Sequence, residues 1–138
     1  VPRAIVINVI INELPACALV DTGSLSDFMS TKFADQLKAP LLKLEKPMSV
    51  QLAVTGSRST INTCVNANFR FQGIDENRRF DIMNIENYDL ILGTPFLFQH
   101  KVALAFNPSL LSVGSGNSLP IEGENVSVIP SRAANVAE

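Results

Sequence analysis

The sequence predicts an all-β fold, and three stretches carry that expectation. From Ile61 to Phe71 the chain alternates, with Ile61, Val65, Ala67, Phe69 and Phe71 on one side and Asn62, Asn66, Asn68 and Arg70 on the other. A period of two marks a half-buried strand, because successive side chains of an extended backbone point to opposite faces. Met48, Val50, Leu52 and Val54 repeat that period upstream, and Thr55-Gly56-Ser57-Arg58 between the two runs has the composition of a turn. Together they form a long hairpin with a small-residue tip. The third stretch is a pair of apolar runs, Ala4 to Ile11 and Leu14 to Val20, folded about Asn12-Glu13.

The remaining elements are short. Ser30 precedes Thr31 to Lys38, where Phe33, Ala34 and Leu37 supply one apolar face, so Ser30 is expected to cap a helix that Pro40 ends. Tyr88 to Leu92 suits a short buried strand. Thr94, with Pro95 at the first helical position, is expected to cap a second helix over Phe96 to about His100. Beyond Val113 the chain turns to Gly, Ser, Asn and Glu, which leaves a strand near Leu119 to Ile121 at most and then a mobile tail. The expected organisation is one domain over residues 1–113, followed by a segment 114–138 with a terminal strand and a flexible polar tail.

A chain of 138 residues can bury one proper core and is too short for two ordinary domains. It is 46% hydrophobic and 17% charged, and it lacks the apolar run of about 20 residues that a membrane helix needs. A net charge of −2 without a basic stripe argues against nucleic acid as a partner, since phosphate binding needs a surplus of Lys and Arg. Cys17 and Cys64 lie in apolar, strand-like runs without metal-site spacing, so they are expected to be buried free thiols in a reducing, intracellular and cytoplasmic setting. No initiator Met or signal peptide opens the sequence, which suggests a domain cut from a longer chain or polyprotein. Asn125-Val126-Ser127 spells a glycosylation sequon of a kind common by chance.

The stretch ACALVDTGSLSDF, Ala16 to Phe28, concentrates the chemistry. An Asp at the end of an apolar strand is costly to bury as a charge unless it is paired, hydrogen-bonded or functional, which singles out Asp21. One reading makes Asp21-Thr22-Gly23 a plain strand-to-turn transition with an Asx turn. The order of elements around it points elsewhere: Asp-Thr-Gly after an apolar strand, a glycine-tipped hairpin downstream, then Ile91-Leu92-Gly93 leading into a capped helix. That order resembles the retropepsin family of aspartic proteases over about Ala4 to Val113. The segment YDLILGTPFLFQHKVALAF looks like its counterpart in Ty3/gypsy-type retrotransposon proteases. LLSVGSGNSLPIEGE is similar to the end of the protease-like domain of the DNA-damage-inducible ubiquitin-shuttle proteins, and neither subfamily is selected. The chain departs from the usual viral pattern at Leu25 and Ser26, where acidic residues often help hold substrate main chain, and at Thr94, where an Arg is common.

The resemblance implies a closed β-barrel of the acid protease fold, a flap hairpin, and a homodimeric aspartic endopeptidase acting on polypeptides. In it Asp21 is the catalytic carboxylate, Gly23 lets the backbone approach closely, and Thr22 cross-bonds to the partner loop. Candidate substrate contacts are Ser24, Leu25 and Ser26 after the triplet and Val54, Thr55, Gly56 and Ser57 of the flap, a segment that also reads as an ordinary hairpin tip. The Ser24 hydroxyl is expected to donate to the outer oxygen of Asp21. Two carboxylates sharing one proton can activate a water without any metal or cofactor, so none is implied. Asp27, Asp35, Asp75, Asp81 and Asp89 lack the following Gly and the apolar lead-in, so the second carboxylate must come from a second copy of the chain. His100, the sole histidine, is read as a residue at a helix C-terminus rather than as a hydrolase base. Phe28 and Phe33 are assigned to the core. The alternative to an enzyme is a catalytically silent dimerisation or peptide-binding domain of a larger protein.

Overall fold

The structure, a computed structural model, describes residues 3–51, 58–106, 109–114, 118–120 and 126–130. Val54, Thr55, Gly56 and Ser57, the expected flap tip, lie outside the described residues. The strands are β1 (Arg3–Ile11), β2 (Leu14–Val20), β3 (Phe28–Ser30), β4 (Leu42–Gln51), β5 (Arg58–Phe71), β6 (Ile74–Met83), β7 (Leu90–Leu92), β8 (Val102–Phe106), β9 (Ser109–Val113), β10 (Ser118–Pro120) and β11 (Val126–Pro130). Two short helices, α1 (Thr31–Leu37) and α2 (Thr94–Gln99), interrupt them.

The main sheet runs β11-β1-β2-β7-β3-β6-β5-β4, and an added pairing of β1 with β5 closes β1, β2, β7, β3, β6 and β5 into a ring. That closing contact is short, Ile10 opposite Arg70 and Ile11 opposite Phe69. Asn12 reinforces it: its N–H donates to the Asn68 carbonyl at 3.0 Å, and its Oδ1 accepts from the Asn68 N–H at 2.8 Å. Strands β8, β9 and β10 form a separate antiparallel sheet. The core fills the ring, with Ile7, Ile11, Phe69, Phe80, Leu90, Leu92 and Phe96 all fully buried. The alternation of β5 is borne out, since Ile61, Val65, Ala67, Phe69 and Phe71 are buried while Asn62, Asn66 and Arg70 are exposed. Phe28 and Phe33 are core residues, as expected.

Several elements differ from the sequence-based expectation. Strand β4 begins at Leu42, upstream of Met48, and its pairing with β5 slips between Lys43 and Met48. The charged β6 was not anticipated at all; it returns from β5 through Gln72-Gly73, with Phe71 opposite Ile74 and Gln72 at φ 52°. Residues 126–130, placed in a tail by their composition, form β11 against β1, from Arg3 opposite Pro130 to Ile7 opposite Val126. The cap of α1 is as expected, the Ser30 Oγ accepting from the Phe33 N–H at 3.0 Å. The cap of α2 is not: Gly93 is the N-cap, without a side-chain hydrogen bond, and Thr94 is already helical. The reason is that the Gly93 carbonyl already accepts the Leu97 N–H at 3.1 Å, the first bond of the helix, so the helix starts one residue earlier.

Candidate active site

The parallel pairing of β2 with β7, Val20 opposite Leu92, delivers the chain to Asp21 beside the end of β7. The loop 21–27 then turns into β3. Three consecutive residues of the β7–α2 junction hold this loop. The Asp21 N–H donates to the Leu92 carbonyl at 3.0 Å, the Gly93 N–H to Asp27 Oδ1 at 2.8 Å, and the Thr94 N–H to the Ser24 carbonyl at 2.8 Å. Gly93 must be glycine for this. A Cβ there would stand 2.4 Å from the Ser26 carbonyl oxygen and 2.6 Å from that of Ser24. The run Ile91-Leu92-Gly93 is therefore core packing at Leu92, partial packing of Ile91 against Phe28, Ile61 and Met83, and a close backbone approach at Gly93.

Asp21 is half-buried, and its Oδ1 accepts the Gly23 N–H at 2.9 Å, which is an Asx turn. Its carbonyl accepts the Ser24 N–H at 3.2 Å. Among the described residues Oδ2 of Asp21 has no hydrogen-bond partner, so one carboxylate oxygen is fixed and the other is available. Thr22 and Gly23 are exposed, and Leu25 is 84% exposed. Among the described residues Gly23 makes no close approach: a Cβ there would lie 3.4 Å from Asp21 Oδ1. Ser24 also departs from expectation: its hydroxyl donates to the Ser26 carbonyl at 2.7 Å rather than to Asp21. A backbone acceptor two residues on suits a short Ser side chain already turned along the loop.

Behind the loop lies a polar cluster that sequence inspection missed. Asp27, 5% exposed, accepts from Gly93 through Oδ1 and from Arg78 Nη2 through Oδ2 at 2.6 Å, while its carbonyl takes the Asp81 N–H at 3.0 Å. Arg78 Nη1 donates to Glu76 Oε1 at 3.1 Å and to Gln99 Oε1, and its guanidinium lies 5.2 Å from the Phe96 ring centroid, a cation–π contact. Glu76 Oε1 also meets His100 Nε2, and Glu76 Oε2 accepts from Gln99 Nε2 at 3.0 Å. Burial pushes the Glu76 carboxyl upward, but hydrogen bonds from His100 and Arg78, with their charges, outweigh it and hold the group below its ordinary value. One signal was present in the sequence. Asp27 directly precedes the buried triplet Phe28-Met29-Ser30, and a carboxylate in such a position calls for a cation.

A cleft of about 340 Å³ opens beside this cluster, lined by Ser26, Arg78, Arg79, Pro95 and Gln99 among others; Asp21 does not line it. Cys17 is half-buried and Cys64 buried, and both thiols are free. Burial, and then the charge of Asp89, raise the Cys17 thiol above its ordinary value.

Comparisons with known proteins agree with this arrangement. The sequence profile of the PEG10/RTL1 protease domain matches residues 17–118. No curated relative matches the sequence. The retroviral protease-like domain of Ddi1 from Leishmania major superposes with a TM-score of 0.63 at 18% identity, covering 96% of this chain and 98% of that one. EIAV protease, solved with the inhibitor HBY-793, gives 0.58 at 20% identity over 72% of this chain and 90% of its own. A retropepsin-like aspartic protease from Rickettsia conorii gives 0.54 at 16% identity, covering 86% of this chain and 94% of that one. With the profile spanning most of the chain, and the strand ring and Asp-Thr-Gly loop in place, this chain belongs to the PEG10/RTL1 protease domain family and is a retropepsin-like aspartic protease domain.

Proposed function

We propose that the chain is a homodimeric aspartic endopeptidase that hydrolyses peptide bonds in polypeptide substrates, with one Asp21 from each copy forming the catalytic pair. The observation that carries this reading is the state of Asp21: one oxygen fixed by Gly23, the other without a partner among the described residues, on a loop exposed at Thr22, Gly23 and Leu25. A two-fold axis through such loops brings identical carboxylates together, and like charges at close range share one proton. The ionised carboxylate takes a proton from a water as its oxygen attacks the scissile carbonyl, and the protonated one gives its proton to the carbonyl oxygen. Collapse of the tetrahedral intermediate returns a proton to the departing amine. Substrate lies extended as an added strand, contacted by Ser24, Leu25 and Ser26 below and by Val54, Thr55, Gly56 and Ser57 of the flap above. Processing of a parent polyprotein within a reducing compartment fits two free thiols and a single domain.

The test is Asp21→Asn. An amide oxygen still accepts from the Gly23 N–H, so the loop, fold and dimer are expected to persist, while cleavage of a peptide library falls by about 10³-fold or more. Turnover near the wild-type level in the purified variant overturns the assignment. A wild-type dimer that binds peptides and cleaves none points to the silent dimerisation or peptide-binding alternative.

A further inference from the structure

The hydrolytic scheme makes no use of Asp27 and Arg78, yet the chain buries this ion pair almost completely, with side chains 3% and 7% exposed. Two buried charges carry a desolvation cost that their attraction offsets only when the geometry is good and the remaining hydrogen bonds are satisfied. The two oxygens of Asp27 have different work. Oδ1 accepts the Gly93 N–H, and Oδ2 faces Arg78. Of the three bonds that fasten loop 21–27 to residues 92–94, this is the one made by a side chain. Its acceptor sits six positions past Asp21, on the far side of the turn. Arg78 in turn reaches α2 through Gln99, and the Phe96 ring lies under its guanidinium.

We propose that Asp27 and Arg78 are positioning residues for Asp21. Asp27 fastens the catalytic loop to Gly93, and Arg78 neutralises the carboxylate that does so while tying it to β6 and α2. The loop's orientation thus depends on a cation contributed by a strand 51 residues away in sequence. This inference rests on the reading of Asp21 as the catalytic carboxylate. It assigns separate duties to the two partners: the essential contribution of Asp27 is an acceptor for Gly93, and the essential contribution of Arg78 is charge.

Those duties separate by mutation. Arg78→Met leaves a buried carboxylate without its cation, so the loop shifts to let water reach it. Peptidase kcat is expected to fall about 10²-fold, the scale of a misplacement near 1 Å, with KM little changed. Amide exchange at Gly93 and Thr94 accelerates, while the β1–β2 hairpin exchanges as before. Adding Asp27→Asn to Arg78→Met removes the orphaned charge and keeps an oxygen for Gly93; most of the lost turnover and of the Gly93 protection returns. Asp27→Ala in the same background removes the oxygen and restores neither. Wild-type kcat and unchanged Gly93 exchange in Arg78→Met overturn the proposal, as does recovery with Asp27→Ala equal to that with Asp27→Asn. If Arg78→Met does not fold, the two double variants still decide. Should the wild-type chain cleave nothing, the exchange measurements judge the positioning role alone, and the failure belongs to the assignment of Asp21.

Discussion

Replacing Gly93 by alanine adds a single methyl group where the β7–α2 junction presses against the Asp21 loop. The new Cβ would stand 2.4 Å from the Ser26 carbonyl oxygen, 2.6 Å from the Ser24 carbonyl oxygen and 3.0 Å from Ser24 Cβ. Carbon and carbonyl oxygen rest near 3.3 Å, so the loop must recede by about 1 Å. Both oxygens belong to backbone, so no side chain can swing aside. A retreat of that size stretches the Gly93 to Asp27 and Thr94 to Ser24 hydrogen bonds, each 2.8 Å, beyond useful length. Overpacking costs about 1–3 kcal/mol. Losing the neutral bond adds about 1 kcal/mol and weakening the charged one about 1.5 kcal/mol. The total is about 3.5–5.5 kcal/mol, a large share of a domain's stability of about 5–15 kcal/mol. At about 3–5 °C per kcal/mol for a chain of this size, Tm falls by about 10–28 °C. Thermal unfolding followed by circular dichroism measures this against Gly73→Ala, whose added Cβ meets nothing within 4 Å and serves as the control. A Gly93→Ala protein melting together with the control would refute the steric account of the loop.

Ser24→Ala removes a hydroxyl bonded to the Ser26 carbonyl, so it should cost about 1 kcal/mol in urea unfolding and leave the pH profile of peptide cleavage where it was; a displaced profile would return Ser24 to Asp21. The Glu76 carboxyl is held below its ordinary value, so its contribution to stability is complete above the unfolded value, about 4.3, and is lost as pH falls through the lower folded value. Chemical denaturation between about pH 6 and pH 3 should therefore show a shallower acid loss for Glu76→Gln than for wild type, and identical slopes would contradict the network. With its thiol raised by burial and by Asp89, Cys17 should react with iodoacetamide at neutral pH far more slowly than a free thiol, and rapid labelling of the folded chain would contradict that environment.

The parts of the fold that could be read from the sequence are those whose pattern lies in their own residues. Strand β5 was legible because its alternation is clean, and the β1–β2 hairpin because two apolar runs fold about the polar pair Asn12-Glu13. Strand β6 was not, for Glu76 and Arg78 occupy alternating positions where an ordinary strand would carry apolar groups, and their burial depends on partners from loop 21–27 and α2. No local pattern reports a cation matched to a carboxylate 51 residues away. The three residues of β3 are too few to show a period, and β11 has its meaning only in the register it finds on β1. At the site, Asp21 was legible through its triplet. Asp27 lacks a following glycine, so its sequence excludes it as a second catalytic aspartate and says nothing of the Gly93 N–H and Arg78 it meets. Thr94 reads as a helix cap until the Gly93 carbonyl is seen to accept the Leu97 N–H, and Ser24 reads as a partner of Asp21 until the Ser26 carbonyl is found closer at hand.

The pairing of β1 with β11 sets a timing problem for biosynthesis. Arg3 lies opposite Pro130, so an early segment acquires its outer neighbour only when the chain 127 positions later has been made. At about 5–20 residues per second, the wait is roughly 6–25 s. The β1–β2 hairpin needs only local contacts and forms long before, and β5 covers the other margin of β1 only at Ile10 and Ile11, which leaves the stretch from Arg3 to Ile7 open until β11 arrives. An open strand margin accepts any chain that presents the complementary segment. Every sibling emerging from the same message carries that segment, in the register of Ile7 with Val126 and Arg3 with Pro130. Nascent chains on one polysome therefore choose between closing on themselves and exchanging their last strands, and local concentration sets the ratio.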